Sequence, residues 1–234
     1  MSKIIPATLL ASGIIAGIIM ANPAYGHKLI SHDGTHTGFD SALHIPDHRI
    51  SWAVYDDLGA GGAKFYAFDA ERGDPFYAGI LVPKMDGLEE YSPSLFLVSP
   101  AGFNGQPGPF EAWPNAERFP YEGNFPGDEF YEPFGQLTYW ERQEVRAHLP
   151  ADGEYFIVVV DEGGRDGKYT LAVGTIEDFS GENPLVLPMA WLETKLFVND
   201  YLSVGIASLA LAAIPAAAAL AVVRKRSHRN IPKT

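Results

Sequence analysis

The chain has 234 residues, no cysteine and a net charge of −12 at pH 7. Residues 27–200 hold all 29 acidic side chains but only 11 of the 17 Lys and Arg, so this segment has a net charge of −18. Such a charge repels nucleic acid, and the lack of cysteine excludes disulfides, thiol nucleophiles and thiolate metal sites. We therefore expect no nucleic-acid partner, and the charge favours cations as ligands.

The N-terminal segment has the pattern of a secretory signal peptide. Residues 4–20 are apolar behind Lys3, and Ala24, Tyr25 and Gly26 fit the small-x-small pattern of a cleavage site. Cleavage after Gly26 would make His27 the new N-terminus. Cleavage after Ala24 and an uncleaved N-terminal anchor are the alternatives. The sequence predicts a signal peptide over residues 1–26 and an exported chain.

A polar arm over residues 27–50 contains five of the seven histidines: His27, His32, His36, His44 and His48. Two pairs spaced by four residues each enclose an aspartate, and neutral imidazole is a good ligand for Cu²⁺ or Zn²⁺. An exposed N-terminal His27 would also chelate copper through its α-amino group and ring nitrogen together. The alternative, which the polar composition favours, is a partly flexible arm whose histidines are solvated.

Short apolar or alternating runs separated by Gly, Pro and Asp begin at residue 51. They predict strands at residues 51–58, 64–70, 76–82, 94–99, 136–149, 154–160 and 168–173. No long amphipathic pattern precedes residue 186. The sequence therefore predicts an all-β fold, an antiparallel β-sandwich over residues 51–176, with the last two strands paired as a hairpin.

The strand pattern is interrupted by residues 100–135, which contain seven Pro, six Gly and nine aromatic side chains. Disordered linkers are poor in aromatic residues, so we expect an ordered loop packed on the sandwich. Exposed Trp113 or Tyr121 beside carboxylates could stack on sugar rings, which makes both candidate ligand-binding residues. The alternative is a satellite core beneath the loop.

Four segments occur in an order and spacing typical of one module: YAFDAERGD at residues 66–74, SLFLVSPAG at 94–102, DGEYFIVVV at 152–160 and DGKYTLAVG at 166–174. Together they resemble the bacterial pre-peptidase C-terminal domain over about residues 51–174. The resemblance implies a jelly-roll-like β-sandwich without catalytic residues, of a kind associated with secretion, surface attachment and binding of calcium or matrix polymers. The loop at 100–135 is longer than in that family, so binding residues do not transfer.

Two acidic turns are candidate calcium sites. Asp161, Glu162 and Asp166 lie in one turn, and three further carboxylates lie within residues 69–74. Calcium takes six to eight oxygen ligands, which clustered carboxylates and loop carbonyls supply. Neither turn matches the EF-hand pattern, and the alternative is an ordinary acidic surface turn.

The C-terminal segment has the pattern of a membrane anchor. Residues 177–201 are predicted to form a linker to the membrane. Within it, the pattern of residues 187–198 predicts a short helix near the lipid surface, with Trp191 as an interfacial anchor. Residues 202–223 carry no charge and precede a basic tail at 224–234. As a helix they would measure about 33 Å, enough for a hydrocarbon core of roughly 30 Å. The prediction is one transmembrane helix with the tail inside; a buried core helix is the alternative.

Patterns for catalysis are missing from the sequence: it has no Gly-x-Ser-x-Gly, no His-Glu-x-x-His and no phosphate-binding Gly loop. The sequence therefore predicts a non-enzymatic, membrane-anchored, extracytoplasmic binding module. Its expected partners are lipid through the span, and another membrane or surface protein or a polysaccharide. The alternative is a copper or zinc handling protein that uses the histidines of the arm, with a hydrolase third.

Overall fold

The computed structural model describes residues 27–100, 115–178 and 186–229, so the predicted signal peptide and Trp113 lie outside the described residues. The described residues form two α-helices, α1 (Leu187–Phe197) and α2 (Tyr201–Arg229), a short 3-10 helix (Phe39–Ser41) and eleven strands. The strands are β1 (Lys28–Leu29), β2 (Leu43–His44), β3 (Trp52–Leu58), β4 (Ala63–Ala70), β5 (Pro75–Pro83), β6 (Ser94–Val98), β7 (Ala116–Phe119), β8 (Glu129–Glu132), β9 (Leu137–His148), β10 (Gly153–Val160) and β11 (Gly167–Val173).

The strands form two sheets that enclose one core. The six-stranded sheet has the order β1-β3-β11-β5-β9-β8, and the five-stranded sheet has the order β2-β4-β10-β6-β7. Alternate side chains of each strand point inward, for example Tyr66 and Phe68 of β4 and Ile157 and Val159 of β10, which are fully buried. The predicted all-β sandwich is confirmed.

The arm of residues 27–50 belongs to this sandwich, contrary to the expectation of a partly flexible segment. Strand β1 pairs in parallel with β3, and β2 pairs in parallel with β4. These two pairings make both sheets mixed, so the prediction of a purely antiparallel sandwich is wrong at these edges. The physical reason is that the edges of β3 and β4 present unpaired backbone groups, which the arm satisfies.

The predicted hairpin of the last two strands does not form, although both strands do. Strand β10 pairs with β4 and β6 in one sheet, while β11 pairs with β3 and β5 in the other. The turn between them therefore crosses from sheet to sheet. Each strand contributes buried side chains to the shared core, and packed sheets lie about 10 Å apart, a distance that a six-residue connection spans.

The aromatic segment at residues 100–135 contains regular structure in its described part. Strand β7 extends the five-stranded sheet beside β6, and β8 extends the six-stranded sheet beside β9. The expectation of a loop throughout is therefore wrong for residues 116–119 and 129–132. Both strands use aromatic side chains, which favour the pleated surface of a sheet.

Helix α1 confirms the short helix predicted at residues 187–198 and packs on the six-stranded sheet. Thr194 Oγ1 donates a hydrogen bond to Tyr55 Oη at 3.2 Å, and the Phe197 ring stacks on the Tyr55 ring with centroids 4.9 Å apart. Lys168 Nζ donates to the Phe197 carbonyl at 2.5 Å. These contacts cover one end of the outer face of that sheet.

Helix α2 belongs to a second compact unit and includes the segment predicted to span a membrane. Throughout the described ranges, no helix has both the length and the apolar character that a membrane crossing requires. The predicted span at residues 202–223 is therefore helical but not confirmed as a span.

Candidate metal centre

The chain between β1 and β2 crosses the open side of the sandwich and carries two histidines inward. Asp33 Oδ1 accepts hydrogen bonds from Thr35 N at 3.1 Å and Thr35 Oγ1 at 2.6 Å, and Gly34 adopts φ 78°. This left-handed conformation suits glycine and turns the chain tightly. As a result the rings of His32 and His36 meet edge to face, with centroids 4.7 Å apart.

Beneath these rings lies Asp56, a carboxylate on the inner face of β3. Its strand neighbours on that face, Val54 and Leu58, belong to the core, and Asp56 is itself only 3% exposed. A strand of alternating side chains places every second residue on one face, so the position of Asp56 follows from the pattern of β3. The carboxylate is therefore buried between the sheets.

Three hydrogen-bond donors and one ammonium group surround the Asp56 carboxylate. Oδ2 accepts from His36 Nε2 at 2.7 Å and from Tyr66 Oη at 2.8 Å. Oδ1 accepts from the Asp57 backbone N–H at 2.8 Å and forms an ion pair with Lys64 Nζ at 3.1 Å. Every acceptor position of this buried charge is thereby used, as burial of a carboxylate requires.

The cluster extends further on both sides. Lys64 Nζ also donates to the Gly34 carbonyl at 2.9 Å, which ties the arm to β4. The Tyr66 and Tyr169 hydroxyl oxygens lie 2.6 Å apart. We call this group the arm cluster; it consists of His32, His36, Asp56, Lys64, Tyr66 and Tyr169.

The electrostatics of the arm cluster favour an ionised Asp56. Burial alone would raise the pKa of this carboxyl, but hydrogen bonds from His36 and Tyr66, with the nearby His32 and Lys64, lower its pKa to about 2. The carboxylate is therefore negative throughout the physiological pH range. A buried negative oxygen beside two imidazole rings is a set of groups that can bind a cation.

Three donor atoms of the arm cluster converge. Asp56 Oδ2 lies 2.7 Å from His36 Nε2 and 3.9 Å from His32 Nε2, and all three atoms lie within 4.8 Å of one another. Tetrahedral zinc with ligand bonds of 2.0–2.1 Å requires separations of about 3.3 Å between ligand atoms. Small movements of the rings would therefore admit an ion. Within residues 27–100, 115–178 and 186–229, no other three His or acidic side chains converge in this way.

Metal binding would require changes at both rings: His36 Nε2 would give up the proton that it donates to Asp56 Oδ2, and a change of tautomer would be needed at His32. Its Nδ1 accepts from the Gly34 N–H at 3.1 Å, and its Nε2 donates to the Tyr55 carbonyl at 2.8 Å. The ring is thus protonated at Nε2, which must lose its proton to bind a metal. The hydrogen bonds to Tyr55 and Gly34 would be exchanged for the metal bond.

The other three histidines predicted as ligands lie elsewhere. His27 Nδ1 is hydrogen-bonded to Ser51 Oγ, and His44 is exposed on β2. His48 is buried near the start of β5, with Nδ1 3.2 Å from the Asp69 carbonyl and Nε2 3.7 Å from Asp74 Oδ2. The structure therefore brings together two of the five predicted histidines.

The predicted calcium turn uses its carboxylates for other contacts. Asp161 accepts hydrogen bonds from the backbone N–H groups of Gly61 and Arg165, each at 2.8 Å. Glu162 is paired with Arg118 at 2.7 Å and is hydrogen-bonded to Ser94 Oγ. Asp161, Glu162 and Asp166 do not converge on one point in the described residues. Calcium binding at this turn stays a prediction.

Tyr121, one of the two predicted ligand-binding aromatics, packs against its neighbours. Its hydroxyl donates to the Asn124 carbonyl at 3.0 Å, and its ring lies 5.2 Å from the Arg142 guanidinium and 5.3 Å from the Phe125 ring. Ligand binding by Tyr121 stays a prediction. Phe125 beside it is 45% exposed.

Four members of the arm cluster lie outside the arm and were not predicted from the sequence: Asp56, Lys64, Tyr66 and Tyr169. One signal could have revealed Asp56, because it occupies an inward position between Val54 and Leu58 in an alternating strand. A carboxylate at a core position must have partners. The identity of those partners depends on strand pairing, which the sequence pattern does not give.

Comparisons with known proteins give distant structural neighbours. No protein-family model matches the chain, and no curated protein matches it significantly. A periplasmic inhibitor of g-type lysozyme from Aeromonas hydrophila aligns at 17% identity over 57% of this chain and 96% of that one, with a TM-score of 0.35.

Two other solved structures align over a similar part of the chain. The pre-peptidase C-terminal domain of a Bacillus anthracis collagenase aligns at 14% identity over 56% of this chain and 91% of that one, with a TM-score of 0.32. A surface-associated copper-binding protein from Methylomicrobium album BG8 aligns at 11% identity over 58% of this chain and 98% of that one, with a TM-score of 0.28. These identities and TM-scores are too low to support an inference about function. The resemblance to the pre-peptidase C-terminal domain therefore rests on the four sequence segments alone.

Proposed function

We propose that this protein is a non-enzymatic, extracytoplasmic binding module that holds a copper or zinc ion at His32, His36 and Asp56. The observation that carries the proposal is the convergence of two imidazole nitrogens and one ionised carboxylate oxygen within 4.8 Å. Imidazole nitrogens with one carboxylate are a donor set that suits both ions. The predicted signal peptide supports the location outside the cytoplasm.

Burial favours binding over catalysis at this position. His36 is 2% exposed and Asp56 3% exposed. Two cavities in the described residues, one of about 270 Å³ and one of about 30 Å³, are lined by side chains other than those of His32, His36 and Asp56. A catalytic metal keeps a coordination position open to substrate, whereas a metal at the arm cluster would be enclosed.

Lys64 would moderate the affinity for a metal ion. Its ammonium group contacts Asp56 Oδ1 at 3.1 Å and so places a positive charge close to the site, while Oδ2 would bind the metal in place of its hydrogen bond from His36. Like charges repel each other strongly in a buried environment. We expect an exchangeable ion, as in a protein that captures and delivers metal, and a tighter site when Lys64 is replaced by Met.

The test is metal analysis of the mature full chain, exported natively and purified without a His tag. We expect about one equivalent of copper or zinc in the wild type, and its loss in His32→Gln and His36→Gln. His44→Gln is the matched control, because His44 is exposed and lies outside the arm cluster. The mass of the intact protein gives the N-terminus, and fractionation gives its location.

Two results would contradict the metal proposal. The first is a wild-type protein without copper or zinc after reconstitution with either ion. The second is a bound ion that survives in both arm-cluster variants and is lost in His27→Gln, which would place it at the N-terminal residue. Changes in Cu²⁺ electron paramagnetic resonance would identify which nitrogen ligands are lost.

A second candidate function is attachment to a surface protein or polysaccharide through the aromatic segment around β8. Phe125, Phe130 and Tyr131 are 45%, 37% and 57% exposed. Exposed aromatic rings commonly form the contact surface in protein and sugar recognition. The test compares the wild type with Phe125→Ser and Tyr131→Ser in two assays, binding to cell-surface polysaccharide and cross-linking to partner proteins. We expect both variants to bind less, and unchanged binding would contradict this function.

A further inference from the structure

A small cavity lies on the outer face of the six-stranded sheet, whereas Asp56 and Tyr169 of the arm cluster lie on its inner face. Tyr55, Tyr139 and Thr170 lie on strands β3, β9 and β11, and their strand neighbours Val54, Trp140 and Leu171 point into the core. Alternation therefore directs the first three side chains to the opposite face. We call the space above them the sheet-face cavity; it measures about 30 Å³ and is also lined by Phe130, Glu132 and Phe134.

Two hydroxyl groups at this cavity have no hydrogen-bond partner. Tyr139 is 1% exposed and Thr170 is 3% exposed, and within the described part of the chain neither Tyr139 Oη nor Thr170 Oγ1 forms a hydrogen bond. The hydroxyls of Tyr55 and Thr170 lie close to Tyr139 Oη. Buried polar groups are nearly always satisfied, so these two point to a small molecule or ion between them.

The other side chains that line the cavity favour a positively charged ligand over a neutral ligand. The aromatic rings present negative π faces, and Glu132 adds a carboxylate. The Glu132 oxygens accept from the backbone N–H groups of Phe134 at 2.7 Å and Gly135 at 2.6 Å, which fixes the carboxylate in place. His27 also lines the cavity, and burial lowers the pKa of its imidazole.

The size of the cavity limits the ion. A volume of about 30 Å³ holds a species of about the size of one water molecule, and excludes a quaternary ammonium such as tetramethylammonium. A sodium or potassium ion would need oxygens on all sides to replace its hydration shell, whereas half of this lining is aromatic. An ammonium ion donates directed hydrogen bonds and interacts with aromatic rings.

We propose that the sheet-face cavity is a binding site for an ammonium ion, held by the Tyr139 and Thr170 hydroxyls, the Glu132 carboxylate and the surrounding rings. The ion would donate hydrogen bonds to the two hydroxyl oxygens that otherwise have no partner and to the carboxylate, while Phe130 and Phe134 cover it. The acidic domain, with its net charge of −18, would concentrate cations near the entrance. This site is independent of the metal proposed at the arm cluster.

The test is titration of the full chain at pH 7 with ammonium chloride, against potassium, sodium and tetramethylammonium chlorides at constant ionic strength. Binding is measured by the thermal unfolding midpoint and by ¹⁵N-ammonium NMR. We expect a saturable rise in the midpoint with ammonium alone. Tyr139→Phe and Thr170→Val each remove one hydrogen-bond partner and should weaken the apparent affinity about tenfold.

Tyr91→Phe is the matched control for these variants. Tyr91 is also buried with an unpartnered hydroxyl among the described residues, but it does not line the sheet-face cavity. Its removal should leave ammonium binding unchanged, and near-ultraviolet circular dichroism verifies that all three variants fold.

Three outcomes would overturn the proposal. Equal midpoints in all four salts would show a cavity that holds water only. Equal rises with potassium and ammonium would show a general cation effect. Ammonium binding that survives both Tyr139→Phe and Thr170→Val would place the ion at another position on the protein.

Discussion

Two clusters of buried polar side chains, the arm cluster and the lining of the sheet-face cavity, differ in the hydrogen bonds that their hydroxyl groups form. In the arm cluster, Tyr66 donates to Asp56 Oδ2 at 2.8 Å and contacts the Tyr169 hydroxyl at 2.6 Å. At the sheet-face cavity, Tyr139 and Thr170 form no hydrogen bond in the described residues. The same side-chain type is therefore a fixed structural contact in one place and an open position in the other.

This difference shows how burial separates stability from binding. A satisfied buried network fixes its members in one arrangement, because any movement leaves a polar group without a partner. A buried hydroxyl without a hydrogen bond does not stabilise the fold in this way. The unfavourable free energy of burying it is removed when a ligand forms a hydrogen bond with it. The arm cluster therefore holds the arm to the sandwich even without metal, whereas the sheet-face cavity is completed by its ligand.

The largest expected effect comes from removing the charge at the centre of the arm cluster. Asp56→Asn leaves the Lys64 ammonium buried without its counter-charge, because Lys64 Nζ pairs with Asp56 Oδ1 at 3.1 Å. We expect the free energy of unfolding to fall by about 3 kcal/mol or more. Urea unfolding in the presence of a chelator measures this loss in the metal-free protein.

The neighbouring Asp57→Asn provides the control for that variant. Asp57 is exposed, so its substitution should change the free energy of unfolding by less than about 0.5 kcal/mol. A loss below about 1 kcal/mol in Asp56→Asn would show that Lys64 and His36 find other partners, and that the arm is not held by this carboxylate.

An intermediate effect is expected from pH at His48, a buried histidine outside both groups. Burial lowers the pKa of His48 from 6.5, and this effect exceeds the opposing attraction of Asp74. Below pH 6.5 the unfolded state therefore binds a proton that the folded state does not. Stability falls as pH decreases from 6.5 toward the folded pKa, by at most about 1.4 kcal/mol per pH unit.

Urea unfolding between pH 7.5 and 5.5 measures this dependence, and His48→Gln should remove part of it. Burial also lowers the pKa of His27, so this histidine contributes a pH dependence of the same sign. The pH dependence that remains in His48→Gln is therefore compared with that of His27→Gln to measure the contribution of His27. An identical profile in His48→Gln and wild type would show that His48 does not titrate in this range.

The smallest effects test the comparison most directly. Tyr169→Phe removes a hydroxyl that contacts Tyr66 and should cost about 1 kcal/mol, whereas Tyr139→Phe removes an unpartnered hydroxyl and should change stability by less than about 0.5 kcal/mol or increase it. Both changes conserve the ring, and both are measured by urea unfolding without ammonium. Equal losses in the two variants would contradict the distinction between the groups.

The strands were predictable from sequence and their pairing was not. Alternating side chains placed strands close to where β3, β4, β5, β9, β10 and β11 occur, because the pleat requires a period of two. The hairpin predicted for the last two strands was wrong, since alternation says nothing about which strand lies beside another. The parallel strands β1 and β2 are two residues each, too short to give any periodic signal.

The candidate metal site was predictable in part. His32 and His36 were identified because histidines four residues apart, with an aspartate between them, have the spacing of metal ligands, and their rings do lie close together. His44 and His48 have the same spacing, yet one is exposed and the other buried. Asp56, the third donor, lies 20 residues from His36 and meets it only because the arm crosses the edge of the sandwich.

The sequence by itself determined the acidic character, the absence of thiol chemistry, the all-β class and the helical type of residues 187–197, since composition and local periodicity express these properties directly. Tertiary structure alone decided which two histidines meet a buried carboxylate, and that Tyr139 and Thr170 line one cavity while Tyr66 and Tyr169 share a hydrogen bond. The physical reason is that burial and partnership arise from contacts between strands distant in the chain, which no local pattern encodes.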